Sequence, residues 1–310
     1  MEAALAGVLG AKQVTDVKRL SGGASRDTFG LVADGRPLIL QRQRAAGLRD
    51  FSTESALLRA ARTAGVPVAE VLVTDADATD EQKDAIGAAF MIVERLDGET
   101  IARKILRDDE FAGARPKLAA QCGEALAAIH SIPVDAVPGL EQTDQVAQYR
   151  AAHDSLGVPS PAFELGFRWL EQHRPATSAT TVVHGDFRLG NLIIDGNGLA
   201  AVIDWELGHL GDPMEDLGWL CTKAWRFANK PRVGGFGDVE DLVAAYEARS
   251  GTTVDLDALR WWETLGTLKW GVMCNMQANA HLSGMVRSVE LAMIGRRVAE
   301  QEHDLLLLLP

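Results

Sequence analysis

The stretch VVHGDFRLGNLIID, residues 182–195, decides how this chain is read. Two runs of β-branched and aliphatic residues flank a polar segment. In it His184, Gly185 and Asp186 are followed, five residues after the aspartate, by Asn191. Residues 191–205, NLIIDGNGLAAVIDW, carry two apolar runs around Asp195-Gly196-Asn197-Gly198, the pattern of a β-hairpin. A hairpin pairs its ends, so Asn191 comes near Asp204, and Asp186 lies in the loop that enters it. Three oxygen-bearing side chains therefore converge. Hard oxygen donors suit Mg²⁺, and no thiolate or histidine pair is at hand to select zinc. Asn191 and Asp204 can hold the metal on a polyphosphate, leaving Asp186 to accept a proton from a hydroxyl.

Taken singly, these residues have plainer readings. Asp186 and Asn191 could form turns, Asp204 could cap a helix, and His184 alone would be structural. Their order, spacing and strand context give the set its meaning.

Outward from this segment, 310 residues suit one to three domains, and 47% apolar content is enough for a sizeable core. The balance of 31 basic against 43 acidic residues, −12 net, repels nucleic acid and anionic membrane surfaces. Cys122, Cys221 and Cys274 are odd in number, widely spaced and without CxxC spacing. That pattern predicts reduced thiols and a cytoplasmic location, not a disulfide framework. MEAALAGVLGAKQ reads as a helix, because Glu2 stands where a signal peptide needs positive charge. The terminal DLLLLLP is far shorter than the roughly 20 apolar residues of a membrane span. It reads as a helical turn docked on the core or on a second copy in a homodimer.

Residues 14–44 read as strands, with ADGRP as a turn. STESALLRAARTAG reads as a helix, stopped at Gly65. VPVAEVLVTD and AAFMIVERLDGET read as strands, and DATDEQKDAIG between them as a charged loop or hairpin tip. After Asp97-Gly98 the pattern turns helical and, apart from the hairpin, stays so. Strands first and helices afterwards predict an α+β fold in two lobes.

HGDFRLGN followed by IDWE resembles the aminoglycoside phosphotransferase and choline kinase superfamily. Protein kinases place H-R-D-L-x-x-x-N at the same point. Here glycine replaces the arginine. IDWELGHLGDPMEDLGWL and the tail ELAMIGRRVAEQEHDLL resemble a branch that includes kinase-like domains fused to some acyl-CoA dehydrogenases. The resemblance implies a bilobal protein-kinase-like fold, with an antiparallel N-terminal lobe (1–93), a hinge (94–98) and a helical lobe (99–310) holding the acceptor site. It implies ATP and Mg²⁺ as cofactors, Asp186 as catalytic base, Arg188 on the transferring phosphate, and Asn191 and Asp204 as metal ligands. His184 would support Asp204, and Asp216 would fasten the catalytic loop. Gly22, Gly23 and Ser25 would approach phosphates from the loop SGGASRDTF. The hinge, through Glu94 and Leu96, would hold adenine.

The strand LILQRQR lacks the lysine such proteins place on the α- and β-phosphates. Gln41 aligns with it. Arg42 is the adjacent cation, for which Glu54 would be the partner, and Arg26 is the next candidate. The reading is an ATP-dependent kinase acting on a small-molecule hydroxyl. Polycationic acceptors need clustered carboxylates, whereas the last helices offer Trp, Met, Asn275, Gln277, Asn279, Arg287 and Arg296. A neutral or anionic, partly apolar alcohol is therefore expected. The missing lysine supports an alternative, a nucleotide-binding pseudokinase with a regulatory or interaction role.

Overall fold

The computed structural model describes residues 1–22, 26–43, 51–176 and 179–310. Helix α1 (Glu2–Leu9) precedes strands β1 (Val14–Gly22), β2 (Arg26–Ala33) and β3 (Arg36–Gln43). Asp34 and Gly35 both have positive φ, 47° and 85°. That is the tight turn a right-twisted hairpin needs. The Asp34 carboxylate accepts the Lys12 and Gln13 amides. Helix α2 (Phe51–Thr63), β4 (Val71–Thr74), α3 (Asp80–Ile86) and β5 (Phe90–Glu94) complete a five-stranded antiparallel sheet in the order β1-β2-β3-β5-β4. One face of the sheet buries Leu31, Leu38, Leu40, Phe90 and Ile92 against Leu5 of α1 and Ile86 of α3.

Residues 80–86 correct an expectation. They form a helix, not a loop or hairpin tip. Thr79 accepts the Gln82 amide while the Gln82 side chain accepts the Thr79 amide, and Gly87 closes the other end at φ 86°. These end contacts hold a helix whose charged surface hides its periodicity.

The helical part contains α4 (Ala102–Arg107), α5 (Arg115–His130), α6 (Gln145–Leu156) and α7 (Pro161–Gln172). A short strand β6 (Thr181–Val183) leads into the loop that carries His184, Gly185 and Asp186. The hairpin β7 (Leu192–Asp195) and β8 (Gly198–Val202) follows, then β9 (His209–Gly211), which pairs with β6. The chain ends in α8 (Met214–Cys221), α9 (Val239–Ser250), α10 (Leu256–Leu282), α11 (Val289–Gly295) and α12 (Val298–Leu308). A continuous core joins α5, α8, α9 and the hairpin. The terminal leucines are helical to Leu308 and dock through fully buried Leu305, while Leu306 and Leu307 stay exposed. All three cysteines are buried and unpaired. Among the described residues no helix is long and apolar enough to cross a membrane.

Two backbone bridges tie the sheet region to the hairpin. The Glu99 amide donates to the Ile194 carbonyl (2.8 Å) and the Ile194 amide donates back (3.0 Å). The Val202 amide donates to the Pro67 carbonyl at 2.8 Å. Gly98, at φ 142°, sits so close to the hairpin that a Cβ would lie 2.5 Å from Ile193 Cγ2.

Candidate active site

The hairpin brings its ends together as expected: the Ile203 amide donates to the Asn191 carbonyl at 2.9 Å. Upstream, the loop is held from below by α8. The buried Asp216 carboxylate accepts the amides of His184 (2.7 Å) and Gly185 (2.9 Å) and meets His130 Nε2 at 3.2 Å. Burial would raise the Asp216 pKa, but His130 and these donors hold it below the usual carboxylate range. Gly185 has φ 79°, and a Cβ there would stand 2.5 Å from the Leu207 carbonyl. This explains glycine in place of arginine after the histidine.

His184 is fully buried, which keeps its imidazole neutral by lowering its pKa. Its Nε2 donates to the Ile203 carbonyl, beside Asp204, and its Nδ1 accepts the Asp186 amide. The ring therefore fixes both carboxylate-bearing residues by their backbones.

Asp186 is half-buried, and donors surround its carboxylate. Oδ1 accepts from Trp219 Nε1 (2.7 Å) and Arg188 Nε (3.0 Å), and Oδ2 accepts from Asn191 Nδ2 (2.7 Å).

Asn191 and Asp204 line a cleft of about 570 Å³ between sheet and hairpin. Its apolar walls include Leu20, Ile39, Val93, Ile193 and Ile203, and Glu94 and Leu96 of the connector lie along it. Asp204 adopts a left-handed backbone, φ 66° and ψ 63°, an uncommon state that aspartate tolerates and that clusters at functional sites. Its carboxylate faces the water of the cleft yet is enclosed on most sides by protein. Burial first, then the nearby charges of Glu206, Asp186 and Glu54, push its pKa up to about 6, with Arg26 opposing.

Arg26 and Arg95 both line this cleft, and Arg26 is the one held by carboxylates within it. It forks onto Glu54, Nη1 to Oε1 at 2.8 Å and Nη2 to Oε2 at 2.5 Å, and approaches Glu206 at 3.6 Å. Its guanidinium lies over the Phe51 ring. The expected pairing of Arg42 with Glu54 is absent and is corrected here. Arg42 instead reaches Asp27 (3.4 Å) and the Ile86 carbonyl (3.1 Å), over the Phe29 ring. Strand alternation is the cause. Thr28 pairs with Gln41 and Asp27 with Arg42, so Arg26, Thr28 and Gln41 share the cleft face while Arg42 takes the other. Gln41 Oε1 is buried in that face and has no hydrogen-bond partner among the described residues. Gly22 ends β1 opposite Asp27, and Gly23 and Ser25 lie outside the described residues.

Glu206, left without a role by sequence reasoning, borders the cleft beside Arg26 and Asp204. Trp219 and Lys269 were not singled out. Trp219 follows Asp216 by three residues on α8, one helical turn along the same face; that spacing is the signal that could have found it. Among the described residues no group of three or more His, Cys, Asp or Glu is placed to hold a metal ion. A metal bound here would draw one carboxylate and one amide from the protein.

The model of the phosphotransferase enzyme family matches residues 16–262. Acyl-CoA dehydrogenase family member 10 of Mus musculus is 31% identical over 262 residues, covering 77% of this chain and 23% of that protein. The chain thus spans about a quarter of the length of that relative. A solved structure from Ralstonia eutropha superimposes with a TM-score of 0.77 at 23% identity, covering 97% of this chain and 95% of that one. Aminoglycoside phosphotransferase APH(4)-Ia, solved as a ternary complex with ADP and hygromycin B, gives 0.64 at 18% identity, covering 98% of each chain. The two structures show a shared fold. With loop, hairpin and cleft in place and the family model spanning most of its length, the chain belongs to the phosphotransferase enzyme family.

Proposed function

We propose that this protein binds ATP in the cleft and, with Mg²⁺, transfers the γ-phosphate to a hydroxyl of a small molecule. The observation that carries this reading is the convergence of Asp186, Asn191 and Asp204 beside one cleft in which Arg26 is oriented by Glu54. The complex of APH(4)-Ia with ADP and hygromycin B supports nucleotide and small-molecule binding in this fold. Adenine would lie between the apolar walls against the connector at Glu94 and Leu96. Arg26 would fork onto phosphate oxygens, as a guanidinium does. The residues present fit a divalent cation: the crowding that raises the Asp204 pKa is relieved by positive charge. Bound Mg²⁺, held by Asn191 and Asp204, neutralises polyphosphate charge.

Asp186 accepts the proton of the acceptor hydroxyl as its oxygen bonds to the γ-phosphorus and the bond to the β-γ bridging oxygen breaks. Arg188, beside Asp186, would meet the moving phosphoryl group. The arginine on β2 answers the absence of lysine on β3, which was the motive for a pseudokinase reading.

The acceptor proposed is a neutral or anionic, partly apolar alcohol. A cavity of about 890 Å³ between α11, α12 and the segment 223–229 that follows α8 is lined by Arg103, Lys223, Arg226, Arg296 and Arg297, against Glu300 and Asp304, with Phe227 and Met293. Such a lining disfavours a polycation. Of the residues expected on the last helices, Arg296 faces it, together with the methionine Met293.

ADP release over a panel of hydroxylated metabolites tests the reading. With an acceptor found, Asp186→Asn is expected to lower turnover about 10²- to 10⁴-fold and leave ATP affinity nearly unchanged. Wild-type turnover in that variant sinks Asp186 as the base. Turnover of polycationic aminoglycosides alone sinks the acceptor class.

A further inference from the structure

We infer that Trp219 is a positioning residue for Asp186, fixing which carboxylate oxygen meets the acceptor hydroxyl, and that Lys269 acts on Asp186 through the Trp219 ring. This rests on the proposed role of Asp186 and goes beyond it.

The donors around Asp186 are unevenly placed. Two reach Oδ1, the indole N–H of Trp219 at 2.7 Å and Arg188 Nε at 3.0 Å. Among the described residues Oδ2 accepts from Asn191 alone. A carboxylate oxygen has two lone-pair directions. Oδ1 is therefore filled, and Oδ2 is the oxygen with a direction left for a hydroxyl proton. Arg188 cannot be the permanent holder of Oδ1 if it turns to the transferring phosphate. Its guanidinium now lies over the Trp225 ring at 4.7 Å. Trp219 has no such second task. It is buried on α8, the helix whose Asp216 holds the loop backbone. One rigid element thus fastens the loop and the side chain it presents.

Behind the ring stands Lys269 of α10. It is buried, with Nζ 4.8 Å from the Trp219 ring centroid and 3.6 Å from Glu215. A cation over an indole face is attracted to its electron cloud. By withdrawing that density it makes the ring N–H a stronger donor to Asp186. Lys269 also approaches the Gly185 carbonyl at 3.5 Å and Gln145 Oε1 at 3.3 Å. A direct grip on the loop is thus the rival route from Lys269 to Asp186. For Trp219 the rival is plain packing, since the ring also meets Trp225 edge-on at 5.1 Å. Packing has no use for the indole nitrogen.

The test separates ring from N–H. ATP turnover, with water as phosphoryl acceptor and ADP release as readout, is compared in four proteins: wild type, Trp219→Phe, Asp186→Asn, and a protein carrying 3-benzothienylalanine at position 219. That analogue keeps the ring shape without an N–H. Losing one hydrogen bond to a charged group is expected to lower kcat about 10- to 100-fold in both position-219 proteins, with KM for ATP unchanged. Wild-type kcat in the benzothienyl protein, with Asp186→Asn inactive, overturns the inference and leaves the role of Asp186 standing. Wild-type kcat in Asp186→Asn overturns the role of Asp186 itself. Lys269→Met is expected to add less than about a twofold loss in the benzothienyl background, because contacts acting in series are not additive. A full multiplicative loss there assigns Lys269 to Gly185 instead. Without any turnover, the Trp219 indole proton resonance is expected to move upfield in Asp186→Asn; no movement counts against the contact.

Discussion

Arg26 and Glu54 form the pairing on which the proposed phosphate end of the cleft depends. Both are largely buried, and each keeps the other's charge from standing alone. Removing one partner of such a pair costs about 3–5 kcal/mol, so the informative variant changes both. Arg26→Gln with Glu54→Gln is expected to fold and to bind ATP about 10- to 100-fold more weakly, the worth of a charged hydrogen bond. Arg42→Ala should leave ATP affinity within about twofold, because its contacts lie on the far face of β3. A calorimetric titration in which Arg42→Ala is the more damaging change reverses the assignment. Asp204 makes the opposite kind of prediction. Its folded pKa, about 6, lies above its ordinary value of 3.8, so the folded chain holds the proton to higher pH than the unfolded one. Ionising it therefore removes stability as pH rises through that window. Asp204→Asn should raise the Tm of the metal-free protein at pH 7 more than at pH 5. The gain should stay under about 1 kcal/mol, since the group faces water. Conversely, the Mg²⁺-dependent share of ATP affinity should fall below pH 6, because a ligand carboxylate must be ionised. Equal thermal shifts at both pH values would remove the crowding account.

The β7–β8 hairpin is the element most legible in the sequence. Its turn residues, flanking apolar runs and end-to-end pairing all follow from period and turn chemistry, and Asn191 and Asp204 came with it. The antiparallel sheet was legible for the same reason. Less legible were features set by contacts between distant elements. Residue spacing placed Arg42 near the missing lysine, but only the register of β2 on β3 shows which side chain faces the cleft. The indole–carboxylate contact joins α8 to a loop 33 residues earlier, and Lys269 joins α10 to both. Gly185 showed in the sequence as a departure from protein kinases; its reason, the Leu207 carbonyl, lies 22 residues on. Helix α3 was missed although its capping box is local, because its surface is charged throughout. At this scale Gly98→Ala is informative. A Cβ would strike Ile193 and the Ile194 carbonyl, at a φ that side chains avoid. A loss of about 1–3 kcal/mol is expected, read as a lowered Tm. An unchanged Tm would show that the connector gives way easily.

Across the whole molecule, sheet and helical body meet at the connector, at the core that α2 shares with the helical body, and at two sets of backbone hydrogen bonds, Glu99 with Ile194 and Val202 with Pro67. Beyond Gly98 the chain is fastened further, since the Glu99 carboxylate accepts the amides of Thr100 and Ile101 and the Lys104 ammonium. Any rotation of the sheet over the body must therefore turn about these bonds. A point on the sheet then moves in proportion to its distance from them. The connector is almost on that axis, whereas Arg26, opposite Gln43, lies five residues along β3 from the Leu38–Glu94 pair and so farther out. The two ends of a bound nucleotide would thus feel different mechanics. The base would rest in a seat of nearly fixed width, and the phosphates would sit in jaws that swing. Loading would start at the base and finish at the phosphates, and release would run in reverse, with the polyphosphate end let go first.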